Sequence, residues 1–420
     1  MRRSTYTGTA FGVLAWVAAT CAVAESLLSV DDCVRLALAR SPAARAAGFD
    51  VDAALARLRA ARAAYAPRLS AQAEYGRAAG FDEAVTNGGS TAALLTIETS
   101  LLDGGLRDAQ FAAARARLRS ANALEQQRRA DVAFAVRVAY FTAVAANAEA
   151  TIQHGTLNTL DEYTSLLRRQ ERLGLVTGND VLRARLAADT TGAAERAAAA
   201  ERDAALSELS IFTGAELTAV SLTEPATVPF TLADPTVIDA SPVLIDAQAA
   251  VEAARHDTDA VRSEWRSHLQ LTASGGALGV IPERTFRDNG GGQFLFGFSL
   301  PLYDGGATAA RVAAAAAAAD SAAALLRESR QSITTALARA AVDARRAEAD
   351  HTAWRSAVPR AAENFELMRA RYFGGGNVRL LEVLDALTQY VDAQLAVQRA
   401  VLADRLVVAK QQQLVGEVTP

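Results

Sequence analysis

The residues that could do chemistry in this chain are too dispersed to do it together. His154, His256, His268 and His351 fall in four separate segments with no metal-ligand spacing. No serine sits in a nucleophile elbow, and no glycine-rich run has the pattern of a phosphate loop. Gly290-Gly291-Gly292 and Gly374-Gly375-Gly376 read as turns. No catalytic residue, cofactor or metal site is therefore expected. One acidic pair suits a field rather than a reaction: Glu382 and Asp385 are three positions apart, so on a helix they share a face.

The first residues point to export. Arg2 and Arg3, the apolar run Ala10 to Ala19 and the small-residue site Ala22-Val23-Ala24 have the order of a secretory signal peptide over residues 1–24. Its removal takes two arginines, so the formal net charge moves from -4 to -6. A balance this acidic argues against nucleic acid or an anionic membrane surface as partner. No later segment reaches the roughly 20 uncharged residues of a membrane-spanning helix. Cys21 falls inside the signal, and Thr20 before it is a poor fit to a lipid-attachment site. Cys33 remains, beside Val34 and Leu36 on an apolar helical face, where it reads as a small buried hydrophobe.

What must position anything here is a duplicated plan with a period of about 200 residues. Ser41-Pro42 recurs as Ser241-Pro242, Tyr65 as Trp265, and Leu102-Asp103-Gly104-Gly105 as Tyr303-Asp304-Gly305-Gly306. Gly174 followed by Asp180-Val181-Leu182 recurs as Gly376 followed by Glu382-Val383-Leu384. Residues 25–212 form one repeat and 241–415 the other, joined by a proline-containing connection, 213–240, and followed by a tail, 416–420. Each repeat reads as a helix, a strand pair (67–77 with 92–102; 267–277 with 293–302) and a long helical hairpin (106–212; 307–415).

The strands alternate. Leu69, Ala71, Ala73 and Tyr75 oppose Arg68, Ser70, Gln72 and Glu74, and Asn87-Gly88-Gly89 reads as the loop to the next strand. There Leu95, Ile97, Thr99 and Leu101 oppose Thr96, Glu98 and Ser100, and the duplicate carries Phe294, Phe296 and Phe298, then Leu300 and Leu302. Strands of about 10 residues with one apolar face suit a bilayer-crossing barrel, with Leu95, Ile97, Leu101, Phe294, Phe296 and Phe298 toward lipid. Gln72, Glu98, Gln270 and Thr272 suit an aqueous lumen. Four strands cannot close a barrel, so the chain must oligomerise; two copies would give a filled barrel and three an open one. The first long helix, roughly 65 residues, would extend about 100 Å. The helices before the strands and after the glycine turn together match it, which suggests end-to-end stacking in an alanine-rich coiled coil.

The segment Leu28 to Ala46, the Asp-Gly-Gly at each strand exit, Leu173-Gly174-Leu175-Val176 before Asp180-Val181-Leu182, and Arg371 through Gly376 to Glu382-Val383-Leu384-Asp385-Ala386 resemble the outer-membrane efflux protein (TolC-like) family across residues 27–415. Ser41 stands where that family commonly has Asn. The resemblance implies a mainly α homotrimer, four strands per chain completing a β-barrel in the Gram-negative outer membrane and long coiled-coil helices entering the periplasm. It implies a passive exit duct of a tripartite efflux or type I secretion system, in lipid contact and docked to a periplasmic adaptor and an inner-membrane pump. Docking is implied at the tips, Leu173, Gly174, Leu175 and Val176 with Gly374, Gly375, Gly376 and Asn377. Glu382 and Asp385 match acidic rings at the periplasmic gate, and Asp180 matches a latch carboxylate. Its basic partner position holds Val378, with Arg379 adjacent, and the latch tyrosine position holds Phe373, with Tyr372 adjacent. A soluble periplasmic coiled-coil scaffold is the alternative, one with no use for amphipathic strands.

Overall fold

The computed structural model describes residues 28–80, 89–217, 222–223, 238–279, 289–375 and 377–418. The signal segment, Asn87 and Gly88, Gly376 and most of the connection 218–237 lie outside them.

Serine caps set the first two helices. Ser29 and Asp32 cap each other's backbone ahead of α1 (Val30–Arg40). Ser41 donates its N–H to Ala37 O, ending α1, while its hydroxyl accepts from Ala44 N and Pro42 starts α2 (Pro42–Ala63). A loop of four residues leads to β1 (Arg68–Arg77), which pairs with β2 (Gly89–Asp103). The long helix α3 (Leu106–Arg172) and its return α4 (Gly178–Thr213) complete the first half. The second half repeats the order: α5 (Pro242–Ser263), β3 (His268–Gly279), β4 (Gly290–Ser299), α6 (Ala307–Phe373) and α7 (Leu380–Val415). Corresponding helices are equal in length: α2 and α5 have 22 residues, α3 and α6 have 67, α4 and α7 have 36. At 1.5 Å per residue the long helices run about 100 Å.

The helices form a wall one helix thick. Near the sheet the order across it is α2, α3, α5, α6; toward the helical tips it is α4, α3, α7, α6. Ion pairs Arg117–Asp257 and Arg119–Glu252 tie α3 to α5, and Arg311–Glu264 ties α5 to α6. The wall has two free flanks, α2 stacked over α4 on one side and α6 on the other.

At the level where the short helices break, the chain has its apolar core. Cys33, Val34 and Ala37 of α1 meet Ala133, Val136 and Tyr140 of α3, with Leu209 of α4, Leu217 and Ala409 of α7. The Tyr140 hydroxyl lies 2.9 Å from Leu28 O and 2.7 Å from Thr223 O, clamping the parallel Leu28–Leu222 bridge onto α3. Burial pushes the Tyr140 phenol well above its ordinary range, so it stays a donor. Ser241 uses its hydroxyl differently from Ser41, donating to Leu414 O and so fastening α5 to the end of α7.

One 18-residue window of α6 has a mean hydropathy of 1.4 and no buried share, enough by length and composition to cross a membrane. The apolarity there is alanine, from Ala313 to Ala319 and Ala322 to Ala324, interrupted by Asp320.

Candidate functional site

The sheet is continuous across the two halves, in the order β1-β2-β3-β4, antiparallel throughout. Directly opposite residues in such pairs share a face. Leu69 opposes Ile97, which opposes Ala273, which opposes Phe294; Ala71 opposes Leu95; Leu271 opposes Phe296 and Leu269 opposes Phe298. One face is therefore apolar across all four strands. On the other, Arg68 pairs with Glu98 and Glu98 with Thr272, Ser70 with Thr96 and Thr96 with Ser274. Phe294, Phe296 and Phe298 are 79%, 65% and 67% exposed. Covering each would stabilise by about 1.5–3 kcal/mol, so the face is built for an apolar surround.

Two details depart from simple alternation. A register shift between Ser100 and Leu102 sets Leu102, not Leu101, opposite Leu269, so Leu101 is the extra residue of a bulge. β4 stops at Ser299, leaving Leu300 and Leu302 beyond the strand. Pro301 between them has no N–H for a ladder.

The Asp-Gly-Gly motif has a mechanical reason at both strand exits. Gly104 and Gly105 have φ of +66° and +93°, Gly305 and Gly306 +68° and +87°, consecutive left-handed residues that L side chains resist. The aspartate then caps the helix to come: Asp103 accepts from Gly105 N and Arg107 N, Asp304 from Gly306 N and Thr308 N. A hydrogen bond from the Thr308 side chain first, and then these backbone bonds, hold the Asp304 carboxyl below its usual range.

At the far end, α3 closes in a tight glycine turn. Gly174, at φ +74°, donates to Glu171 O, and Leu175 N donates to Gln170 O, a Schellman closure. Leu173 and Leu175 project outward, 73% and 70% exposed, while Val176 packs against the Leu167, Val181, Ala184 and Leu380 cluster. In the second tip Gly374 N donates to Ala370 O, and a side chain at Gly374 would meet that oxygen at 2.7 Å. Gly375 takes the left-handed conformation, φ +80°, and Asn377 is exposed.

The acidic residues occupy different situations. Glu382 and Asp385 are exposed on the first turns of α7, with Val383 and Ala386 between and beyond them buried, so both carboxylates face away from the core. Asp385 accepts from Gln389 Nε2 at 3.0 Å. Asp180 instead caps its own helix, accepting from Thr177 Oγ1 and N while Thr177 caps it in return. Among the described residues no ion pair joins Asp180 to Arg379, which stands exposed at the start of α7. Phe373 and Val378 pack into the apolar cluster of Leu160, Tyr163 and Val383, with the Phe373 ring 5.3 Å from Tyr163 and 5.0 Å from Tyr372. Burial, and then the Asp180 charge, push the Tyr372 phenol upward. The neighbouring hairpins of one chain are thus joined at the tip by rings and aliphatic side chains. Among the described residues no histidine, cysteine or acidic cluster could hold a metal.

This architecture recurs in solved structures. A membrane protein from Pseudomonas aeruginosa matches with a TM-score of 0.82 at 21% identity, over 93% of each chain. The outer membrane protein VceC from Vibrio cholerae matches at 0.82 and 20%, over 93% of this chain and 96% of that one. The open-state MtrE outer membrane channel of Neisseria gonorrhoeae matches at 0.80 and 20%, over 93% and 89%. At these identities the likeness is one of fold. By sequence no curated protein is matched. The outer membrane efflux protein family model, however, matches residues 33–215 and 236–415, and the chain belongs to that family.

Proposed function

We propose that three copies of this wall close edge to edge into one passage, a twelve-strand barrel in the outer membrane continued by a twelve-helix tube in the periplasm. Family membership makes the chain an outer-membrane efflux channel subunit. The observation that carries the trimeric duct is the sheet: among the described residues it has four strands, one predominantly apolar face, and two edges, β1 and β4, with no strand beside them. Lipid cannot satisfy those edges, and a single copy cannot close them. With an even number of alternating strands, β4 of one copy runs opposite to β1 of the next, so the antiparallel ladder continues around the ring. Three copies leave a wet lumen lined by the Ser70, Gln72, Glu98 and Thr272 face.

The passage does no chemistry on its cargo. Residues 1–24 direct export and are removed, and the two repeats supply equivalent halves of the wall around the connection 213–240. A periplasmic adaptor and an inner-membrane pump engage the tips, Leu173 to Val176 and Gly374 to Asn377. Glu382 and Asp385, repeated three times, form two carboxylate rings that attract cations at the periplasmic mouth. Asp180 and Arg379 belong to the contact that opens it.

The purified protein in detergent should have the mass of a trimer; a monodisperse monomer would overturn the duct. In planar bilayers, Glu382→Gln with Asp385→Asn should shift the reversal potential in a salt gradient toward less cation preference at unchanged trimer yield. An unshifted potential removes the acids from the mouth.

A further inference from the structure

Gly290, Gly291 and Gly292 open β4, the edge strand of the second repeat, and nothing among the described residues calls for them. None has the left-handed backbone of Gly305 or Gly306. A side chain at Gly291 would meet nothing within 4 Å, and one at Gly292 would touch Ser274 O at 3.4 Å, an ordinary van der Waals contact. Gly276 differs, since a side chain there would collide with Ala93 O. Gly292 stands opposite Gly275 on the apolar face, so that face is bare beside the β4 edge, one step beyond Phe294. The β1 edge has the converse profile: Ala71 and Ala73 are small, and Tyr75, 67% exposed, is large.

We propose that the Tyr75 ring of one copy lies over Gly292 of the next and locks β1 and β4 in a single register, Arg68 opposite Ser299 and Arg77 opposite Gly290. The proposal rests on the trimeric reading above and adds the register and its lock. Both strands have ten residues, and only this register pairs all of them. It sets Leu69 against Phe298, Ala71 against Phe296, Ala73 against Phe294 and Tyr75 against Gly292. From Ala71 onward each ring therefore meets a residue with little or no side chain. An aromatic ring laid across a strand glycine restores the cross-strand contact that the glycine lacks. β4 carries no charge, so Arg68, Glu74 and Arg77 meet no like charge across the seam.

Strand tilt selects the same register. Within one copy the row of directly opposite residues runs Arg68, Glu98, Thr272, Leu295. In the proposed seam Leu295 meets Gln72 of the next copy, so the row climbs four residues of β1 for every four strands. At about 3.4 Å per residue and about 4.8 Å per strand, this is a tilt of about 35°, within the roughly 35–45° of membrane barrels. Slides must be of two residues to keep the apolar faces together. One slide gives about 20° and sets Phe298 against Pro67, outside β1. The other gives about 47°, leaves Arg68 and Leu69 beyond the end of β4, and sets Tyr75 against Phe294 with Gly292 still bare. The occupant of the bare patch is a second copy because ring and glycine stand at the same height on opposite edges of one sheet. Such a heterologous contact closes into a ring.

The test is disulfide trapping in the full-length protein. Leu278 N donates to Asn289 O, so odd-numbered residues of β4 direct their backbone bonds to β3. Leu295 therefore faces Gln72 in the close, unbonded kind of antiparallel pair, with Cα atoms about 4.5 Å apart. Gln72→Cys with Leu295→Cys should give covalent trimers on mild oxidation. Gln72→Cys with Gln293→Cys or with Gly297→Cys, about 8 Å apart here and directly opposite only in one slide or the other, should give none. Trimer mass is measured separately on the reduced protein. A reduced trimer in which the first pair fails to couple, or either control couples instead, overturns the register and leaves the duct standing; a monomer overturns the duct itself. Tyr75→Gly and Gly292→Tyr should each lower the fraction of trimer surviving heat several-fold. Exchanging both should restore it, because the ring then comes from the other strand. Single variants as heat-resistant as the parent, or equal losses in single and double variants, overturn the lock.

Discussion

Helices α3 and α6 have the same length and the same place in the two halves of the sequence, yet they lead different lives. α3 is flanked on both sides, by α2 and α4 on one and by α5 and α7 on the other, and it buries Val136, Tyr140, Leu160 and Leu167. α6 has neighbours on one side only, and Ile333 and Phe365 are the only large side chains it buries. Tyr140 stands 34 residues into α3, and 34 residues into α6 stands Ala341. Copying a segment therefore does not copy its surroundings. Position in the wall decides whether a helix serves as the core of its own chain or leaves a face without a neighbour.

Substitutions that put the same charge into each helix should separate these roles. Val136→Asp places a carboxylate at a position with no exposure, and it should destabilise the protomer by about 3–5 kcal/mol, read as loss of a cooperative thermal transition. Tyr140→Phe keeps the packing but removes the hydroxyl donor from Thr223 O, while Leu28 O keeps the Thr223 N–H, a loss of about 1–3 kcal/mol that denaturant titration should resolve. Ala353→Asp, on the free face of α6, should leave the unfolding of dissociated protomers within about 0.5 kcal/mol of the parent. A protomer that melts as early with Ala353→Asp as with Val136→Asp would erase the distinction between the helices.

Much of this architecture was legible from local signals. Serine-proline starts, glycine stops and strict strand alternation are written in adjacent residues, so element order, helix lengths and the apolar strand face could be read directly. What escaped depends on partners far along the chain or on competing local bonds. The bulge at Leu101 follows from pairing between β2 and β3, whose register no single strand contains. Arg137 is buried on α3, where desolvation lowers its pKa against the pull of Asp31 and Glu417, an environment that only the folded packing creates. At the tip, the Thr177-x-x-Asp180 spacing is a capping signal that the structure uses as one, a local role for Asp180 beside the latch role that family resemblance implies. Phe373 and Val378 pack inward because both are apolar and Tyr163, Leu160 and Val383 offer a place to bury them.

The placement of the helix breaks has a mechanical consequence. α2 gives way to α4, and α5 to α7, at the same height, where a tube made only of such pairs would hinge. Every one of these interruptions lies beside an unbroken helix: α3 runs past both, and α6 runs past the second. In a ring of three, α6 of the next copy would run past the first as well. Each joint is splinted by an unbroken neighbour, so bending such a duct at its middle would require bending continuous 67-residue helices rather than opening gaps between short ones. In such a ring, torque or thrust delivered at the periplasmic tips should therefore reach the sheet with little loss to flexing, even though half of the helices are cut midway.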